Sequence, residues 1–305
     1  MGQVAPLALG VLLLLATPAT AATIDDPAAW LTSLEDAVIA DLAAGKPLVV
    51  QVHVPLCEQT ILACGNLKLG DGEAPDTNLY WATSPGFGRY FGKRGRGWTL
   101  ALDSDGTAIT NPDVLDLRVY RKTIAASRGW QRRGAPKRFD VVIVAQAWRG
   151  TTIDAALATY ARELSGQHPV TITLADGTTV EAGGAARLVA YVGHNRLMDL
   201  DAAYAWPTPG TEVRGAIAIA CHTAAYMQPV VPGPTRVPLL FVRDYLFSNA
   251  GPLEGAVLGF AGGGGYPAIR EQAAAAYATV QGKPVARVGG AFTNPASKHW
   301  ARGGR

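Results

Sequence analysis

Two residues in this chain join reactive chemistry to a telling position. His194 follows the apolar run Leu188-Val-Ala-Tyr-Val-Gly193, and Cys221 follows Ala216-Ile-Ala-Ile-Ala220. Short apolar runs bounded by turn residues read as buried strands. Where two such strands lie parallel and adjacent, an imidazole and a thiol meet at one sheet edge. A thiol is a strong nucleophile as thiolate, and a neighbouring imidazole takes its proton. The chemistry this would give is acyl transfer, with Cys221 attacking a carbonyl carbon and His194 acting as general acid and base. Singly, each residue has a plainer explanation: a Cys after a strand is commonly a small buried hydrophobe, and a lone His is commonly structural. Their conjunction at two strand ends is what favours catalysis.

The elements that must position them are legible in outline. Residues 32–44 have helical apolar spacing and stop at Gly45-Lys46-Pro47. Residues 48–54 form a β-rich run, and residues 98–102 and 114–124 read as strands around an Asp105-Gly106 turn. Residues 78–93 are mixed and aromatic, in part helical. Residues 139–146 form a continuous apolar strand, 151–164 an amphipathic helix, and 170–180 a hairpin about Asp176-Gly177. Strands at 187–192, 216–220 and 237–242 follow, then an Ala-rich helix over 267–280. Apolar strands separated by helices predict an α/β fold with a mainly parallel sheet. In such sheets ligands bind just beyond the carboxyl ends of the strands.

The segments ending in His194 and Cys221 resemble those of the caspase-like cysteine peptidases, the group of caspases, legumains, gingipains and clostripain. Their hallmark is an apolar strand ending in His-Gly and a second ending in the nucleophilic Cys. The likeness runs from about residue 47 to 246. It implies a three-layer sandwich, with a mainly parallel central sheet flanked by helices, and a His194–Cys221 dyad working through a covalent thioacyl intermediate. It also implies backbone amides beside the His to hold the developing oxyanion. In the family a glycine after the His supplies one such amide; here Gly193 precedes the His and Asn195 follows it, and both are candidates. The His and Cys stand 27 residues apart, against about 50 in caspases, and the Q-A-C-x-G signature is not present. The segments Leu69-Gly-Asp-Gly72, Asn78-Leu-Tyr-Trp81 and Gly193-His-Asn-Arg-Leu-Met-Asp199 are similar to an uncharacterised exported bacterial family, which implies no activity.

Asp199, Asp201 and Asp244 are candidate specificity residues for a basic substrate side chain, and Arg196 and Arg243 could equally serve an acidic one; all five also read as exposed loop charges. The expected substrate is a peptide or protein. A second reading is a catalytically inactive caspase-like binding protein of the bacterial envelope. A third is a cationic binding module, because residues 118–138 carry eight basic side chains and no acidic one. There, Arg128-Gly-Trp-Gln-Arg-Arg-Gly-Ala-Pro-Lys-Arg138 reads as an exposed, protease-sensitive loop whose Trp could stack on nucleotides; a solvated linker is the plainer reading, and no nucleic-acid partner is expected. No cofactor is expected. The glycines of 259–265 precede no Gly-Lys-[Ser/Thr], and those of 86–92 follow no strand. His53, Cys57 and Cys64 are only three ligands at irregular spacing, so no metal site is expected.

With 305 residues, 49% apolar and 17% charged, the chain can build a substantial core, and a net charge of +3 is too small to imply a polyanionic partner. The run Val11-Leu-Leu-Leu-Leu-Ala16 followed by Ala19-Thr-Ala21 reads as a cleaved signal peptide over 1–21. That reading predicts a periplasmic or secreted protein with no transmembrane anchor after cleavage. One α/β domain is expected over 22–290 and a flexible tail over 291–305. Three cysteines in an oxidising compartment should pair two and leave one. Cys57 and Cys64, separated by six residues, are the expected disulfide, and Cys221 the free thiol.

Overall fold

Helix α1 (Pro27–Ala43) starts where Asp26 accepts the N–H groups of Ala28 and Ala29 at 2.9 and 3.2 Å and Pro27 takes the first helical position. That is five residues before the apolar spacing begins, because the capping signal Asp-Pro lies ahead of the amphipathic stretch. The coordinates are a computed structural model that describes residues 26–233 and 235–295; the expected signal peptide lies outside the described residues. In chain order there follow β1 (Leu48–Pro55), α2 (Phe87–Tyr90), β2 (Thr99–Ser104), β3 (Val114–Ala125), α3 (Arg128–Arg132) and β4 (Arg138–Trp148). Next are α4 (Ile153–Leu164), the hairpin β5 (Pro169–Thr173) and β6 (Thr179–Gly183), β7 (Leu188–Val192), β8 (Arg214–Ile219) and α5 (Thr223–Met227). The chain closes with β9 (Arg236–Leu240), α6 (Ala250–Ala261), α7 (Tyr266–Gln281) and α8 (Val285–Val288).

Seven strands form one mixed sheet in the order β2-β3-β4-β1-β7-β8-β9, with β5 and β6 pairing separately. The run β4-β1-β7-β8-β9 is parallel, and β2 and β3 continue it antiparallel. Every residue of β1, β7, β8 and β9 is buried, as expected for parallel strands covered on both faces. On one face Val50, Val52, Val54, Ala190, Val192, Ile217 and Ile219 pack with α1, α6 and α7. On the other, Tyr191, Ala216 and Ala218 pack with α4 and α5, and Val49, Val142 and Val144 pack under the β5–β6 hairpin. Helices α6 and α7 approach so closely that a side chain at Gly255 would lie 2.3 Å from the Gln272 carbonyl. The expected α/β class with a mostly parallel sheet is what the chain forms.

The connection from β1 to β2 is long and tied down at several points. Cys57 and Cys64 are bonded to each other, with Cα atoms 6.1 Å apart, so neither offers a thiolate to a metal. The side chain of Asn78 accepts from Cys57 N–H at 3.0 Å and donates to the Cys57 and Asp71 carbonyls at 2.8 and 3.0 Å. Glu254 of α6 accepts from Tyr90 Oη, Arg96 Nη1 and Trp98 Nε1 at 2.9, 2.7 and 2.7 Å. These bonds hold the insertion against the sheet rather than leaving it a free loop.

Two expectations need correction. Residues 128–138 are largely exposed, as expected, but are not all loop: Ser127 Oγ caps α3, and Trp130 is buried between Phe139 and Phe260. Three of the eight cations of 118–138 sit in ion pairs. Arg118 meets Asp103 and Asp116, Arg121 meets Asp140 and Asp176, and Arg133 meets Glu35 and Asp36. Buried Trp130 has no face left for a nucleotide, which removes the stacking contact from the cationic-module reading. Residues 291–293 are also packed and not the start of a flexible tail, the end of which lies outside the described residues. Phe292 is buried on Tyr277, and the Thr293 N–H donates to Phe241 C=O at 2.9 Å while its hydroxyl oxygen accepts from Phe241 N–H at 3.0 Å. An apolar anchor this far along the chain extends the core past the helices. Among the described residues no helix is long and apolar enough to cross a membrane, and the disulfide fits an oxidising compartment.

Candidate active site at the carboxyl edge of strands 7 and 8

Taken in chain order, the five parallel strands lie 2-1-3-4-5, and in that arrangement the crevice for a ligand opens where neighbouring connections part in opposite directions. Here that point lies between β1 and β7, and His194 is the second residue beyond β7. Strands β7 and β8 pair in parallel register from Leu188↔Gly215 to Val192↔Ile219. Gly193 N–H adds a rung to Ile219 C=O at 3.3 Å. Continued by two residues, that register sets His194 level with Cys221. Gly193 itself sits at φ +151, and a Cβ there would come within 3.2 Å of the Pro55 carbonyl. Its amide is consumed by the ladder, so the expectation that Gly193 holds an oxyanion is overturned.

The ladder then stops for a visible reason. Ser248 Oγ lies 2.7 Å from Gly193 O and 3.2 Å from Ile219 O, so one buried hydroxyl bridges the two strand-end carbonyls. Asn195, at φ −83, needs no glycine-like backbone to follow His194. Its buried side chain accepts from Leu197 N–H at 3.2 Å, opening a tight turn over Arg196–Met198. The same side chain donates from Nδ2 to the Cys221 carbonyl at 2.7 Å. The sequence read Asn195 only as a backbone donor; the structure shows that its side chain clamps the two strand ends together.

Nε2 of His194 lies 2.7 Å from Oδ2 of Asp199, one turn further along. The His194 carbonyl accepts from Tyr191 Oη at 2.9 Å, fixing the backbone beneath the ring. Arg196 reaches Asp199 at 3.5 Å and forms a bidentate pair with Asp154 of α4, at 2.7 and 3.1 Å. Asp199 is therefore occupied by two neighbours, and it and Arg196 are not free specificity groups. Asp201, Arg243 and Asp244 are exposed, and the Asp244 carboxylate accepts from Tyr245 N–H at 2.7 Å.

Cys221 is the free cysteine, half-buried at the end of β8. Sγ faces the Leu246 backbone, 3.4 Å from its N and 3.5 Å from its O. His222 follows at φ +53 and turns the chain from strand into α5; its Nδ1 donates to Arg243 C=O at 2.9 Å, and its ring meets exposed Tyr245 edge-on at 4.5 Å. Two tyrosine hydroxyls lie within electrostatic reach of Cys221. Burial pushes the Tyr80 hydroxyl above its ordinary range, and its interaction with Cys221 adds to that. Burial likewise raises Tyr277, whose oxygen accepts from Phe247 N–H at 3.1 Å, with Cys221 and Asp244 contributing. Imidazole and thiol are not hydrogen-bonded to each other: His194 is held by Asp199, and Sγ by Leu246.

A second polar cluster lies under the sheet on the α4 side. Trp148 Nε1–H can only donate, so His53 Nδ1 accepts from it at 3.1 Å and Nε2–H donates to Glu163 Oε2 at 2.7 Å. His168 Nδ1 lies 3.1 Å from the other oxygen of Glu163. Burial alone would raise the Glu163 carboxyl, but its contacts with His53 and His168 outweigh it and hold the group below the ordinary value. His168 is raised, chiefly by its hydrogen bond to Glu163. With both side chains of the His53–Glu163 pair fully buried, this cluster is a structural support.

Ser248, Tyr80, Tyr277 and the Leu246 backbone are the site neighbours that sequence reasoning did not single out. Tyr80 lies within the Asn78-Leu-Tyr-Trp81 segment, and Ser248-Asn249 marks the start of α6, but nothing local in these residues signals that they lie near strand ends so distant in the chain. Comparison with known protein families, with curated proteins and with solved structures finds no match to this chain, so its affiliation rests at an α/β protein with a mixed seven-strand sheet.

Proposed function

We propose that the protein is a caspase-like cysteine hydrolase acting on peptide or protein substrates, with Cys221 as nucleophile and His194 as general acid and base. The observation that carries this is the parallel β7–β8 register, which brings the two residues to the same level of the carboxyl edge of the sheet, next to the β1–β7 switch point. In the reaction the Cys221 proton passes to His194, and the thiolate adds to the substrate carbonyl carbon as the carbonyl electron pair moves onto oxygen. The imidazolium gives its proton to the leaving amine while the C–N bond breaks, leaving a thioester. Water, deprotonated by His194, then attacks the thioester and releases the acid and the thiol. The oxyanion is held by the backbone N–H groups of Cys221 and Asn195; among the described residues neither donates to a protein acceptor.

A second reading, an inactive binding protein on the same frame, is favoured by one observation: the thiol bonds to Leu246 and not to His194. Catalytic hydrogen bonds are often loose before substrate binds and tighten in the complex. Hydrolysis of a mixed peptide library, followed by mass spectrometry, separates the two readings. We expect cleavage by the wild type and at least a hundredfold loss in both Cys221→Ala and His194→Ala. Equal cleavage, or none, in all three proteins overturns the hydrolase.

A further inference from the structure

We propose that Asp199 is a positioning residue for His194, making the site a Cys221–His194–Asp199 triad; the inference rests on the hydrolase reading above. A general base must present the correct ring nitrogen, and the group bonded to the other nitrogen decides which one that is. Asp199 Oδ2 lies 2.7 Å from His194 Nε2. A carboxylate only accepts, so Nε2 carries the hydrogen and Nδ1 is left with its lone pair for the thiol proton. When that proton arrives, the imidazolium keeps its Nε2–H bond to a full negative charge, which stabilises the thiolate–imidazolium pair against the neutral one.

The carboxylate is held in place for this task. His194 and Asp199 are the two ends of a single turn, whose start is fixed by the buried Asn195 side chain. Arg196 approaches the same Oδ2 of Asp199 at 3.5 Å and is anchored through two bonds to Asp154 at the start of α4. The Tyr191 hydroxyl holds the His194 carbonyl from below. The ring, the carboxylate and the cation beside them thus link the sheet edge to a helix on its face. His194 and Asp199 have side chains 15% and 34% exposed, so solvent screens the pair only in part.

The test is the pH dependence of alkylation of Cys221 by iodoacetamide, measured on the full chain by intact mass. In wild type, alkylation should remain fast at neutral pH. In Asp199→Asn, which can still accept from Nε2 but carries no charge, the rate at neutral pH should fall about tenfold. At pH 9.5, where an ordinary thiol is ionised without help, the variant should match the wild type. A merely structural role would change the rate at both pH values or at neither. His194→Ala separates the inference from the reading beneath it. If His194→Ala slows neutral alkylation and Asp199→Asn does not, the triad fails and the dyad stands. If His194→Ala has no effect on the profile, the dyad itself fails and the triad with it. Circular dichroism of each variant identifies any loss of fold, and Asp199→Glu, with its charge kept, should restore part of the neutral rate.

Discussion

The side-chain amide of Asn195 donates to the main-chain carbonyl of Cys221 at 2.7 Å while its oxygen caps the turn that carries Asp199. One buried residue therefore joins the loop after β7 to the loop after β8, and so sets the spacing between imidazole and thiol. Asn195→Ala should cost about 1–3 kcal/mol, the range for losing a cap and leaving a buried partner unpaired. Neutral-pH alkylation of Cys221 should change as well. Denaturant unfolding and iodoacetamide kinetics check the two effects, and a variant of wild-type stability would show that the clamp contributes nothing.

Ser248 ends the β7–β8 ladder by bridging the Gly193 and Ile219 carbonyls. Replacing it with Ala leaves two strand-end carbonyls without that donor. The expected loss is about 1–2 kcal/mol, read as a lower unfolding midpoint. A fully stable Ser248→Ala would mean that the hydroxyl makes no net contribution there.

The Cys57–Cys64 bond closes a short loop, worth about 2–3 kcal/mol in the chain-entropy treatment. Peptide mapping without reductant should find Cys57 linked to Cys64 and Cys221 alkylated alone. The double variant Cys57→Ser/Cys64→Ser should unfold at a lower denaturant concentration by the corresponding amount. A linkage through Cys221 would contradict both the pairing and the nucleophile.

Stability should depend on pH through Glu163 and His168. Glu163 is lowered in the folded state, so its contribution is complete above the ordinary value of 4.5 and is lost as pH falls through the lowered one. His168 is raised, so its contribution is complete below 6.5 and is lost as pH rises through the raised value. Both are in full between these ordinary values. His168→Asn, chosen because Asn tolerates the φ of +59 at this position, should flatten the alkaline side by about 1 kcal/mol, a charged hydrogen bond discounted for a half-exposed ring. Unfolding midpoints across the range decide it; an unchanged alkaline side in the variant counts against the His168 contribution.

Much of the frame was legible because parallel strands buried on both faces are written as unbroken apolar runs, and those containing Val52, Ile143, Ala190 and Ile217 all were. Helix α1 was placed late because its cap, Asp26-Pro27, precedes its amphipathic stretch. The ion pairs of Arg118, Arg121 and Arg133 were not legible because charge density is a local property, whereas their partners Glu35, Asp36, Asp103 and Asp176 come from other stretches of chain. His194 and Cys221 stood out through their strand-end positions. Asp199 stood out as a specificity candidate and not as a partner of His194, since five residues of separation say nothing about which side chain a carboxylate faces until the Asn195 turn folds it back. Ser248, Tyr80 and Tyr277 reach the site only through tertiary packing.

Covalent labelling with peptidyl acyloxymethyl ketones, carrying acidic, basic or apolar residues next to the ketone, tests the nucleophile most directly. At least one should modify the native protein on Cys221 at neutral pH, with unfolded protein, Cys221→Ala and His194→Ala left unlabelled. Labelling that is equal in native and unfolded protein, or that persists in His194→Ala, would contradict a Cys221 nucleophile activated by His194.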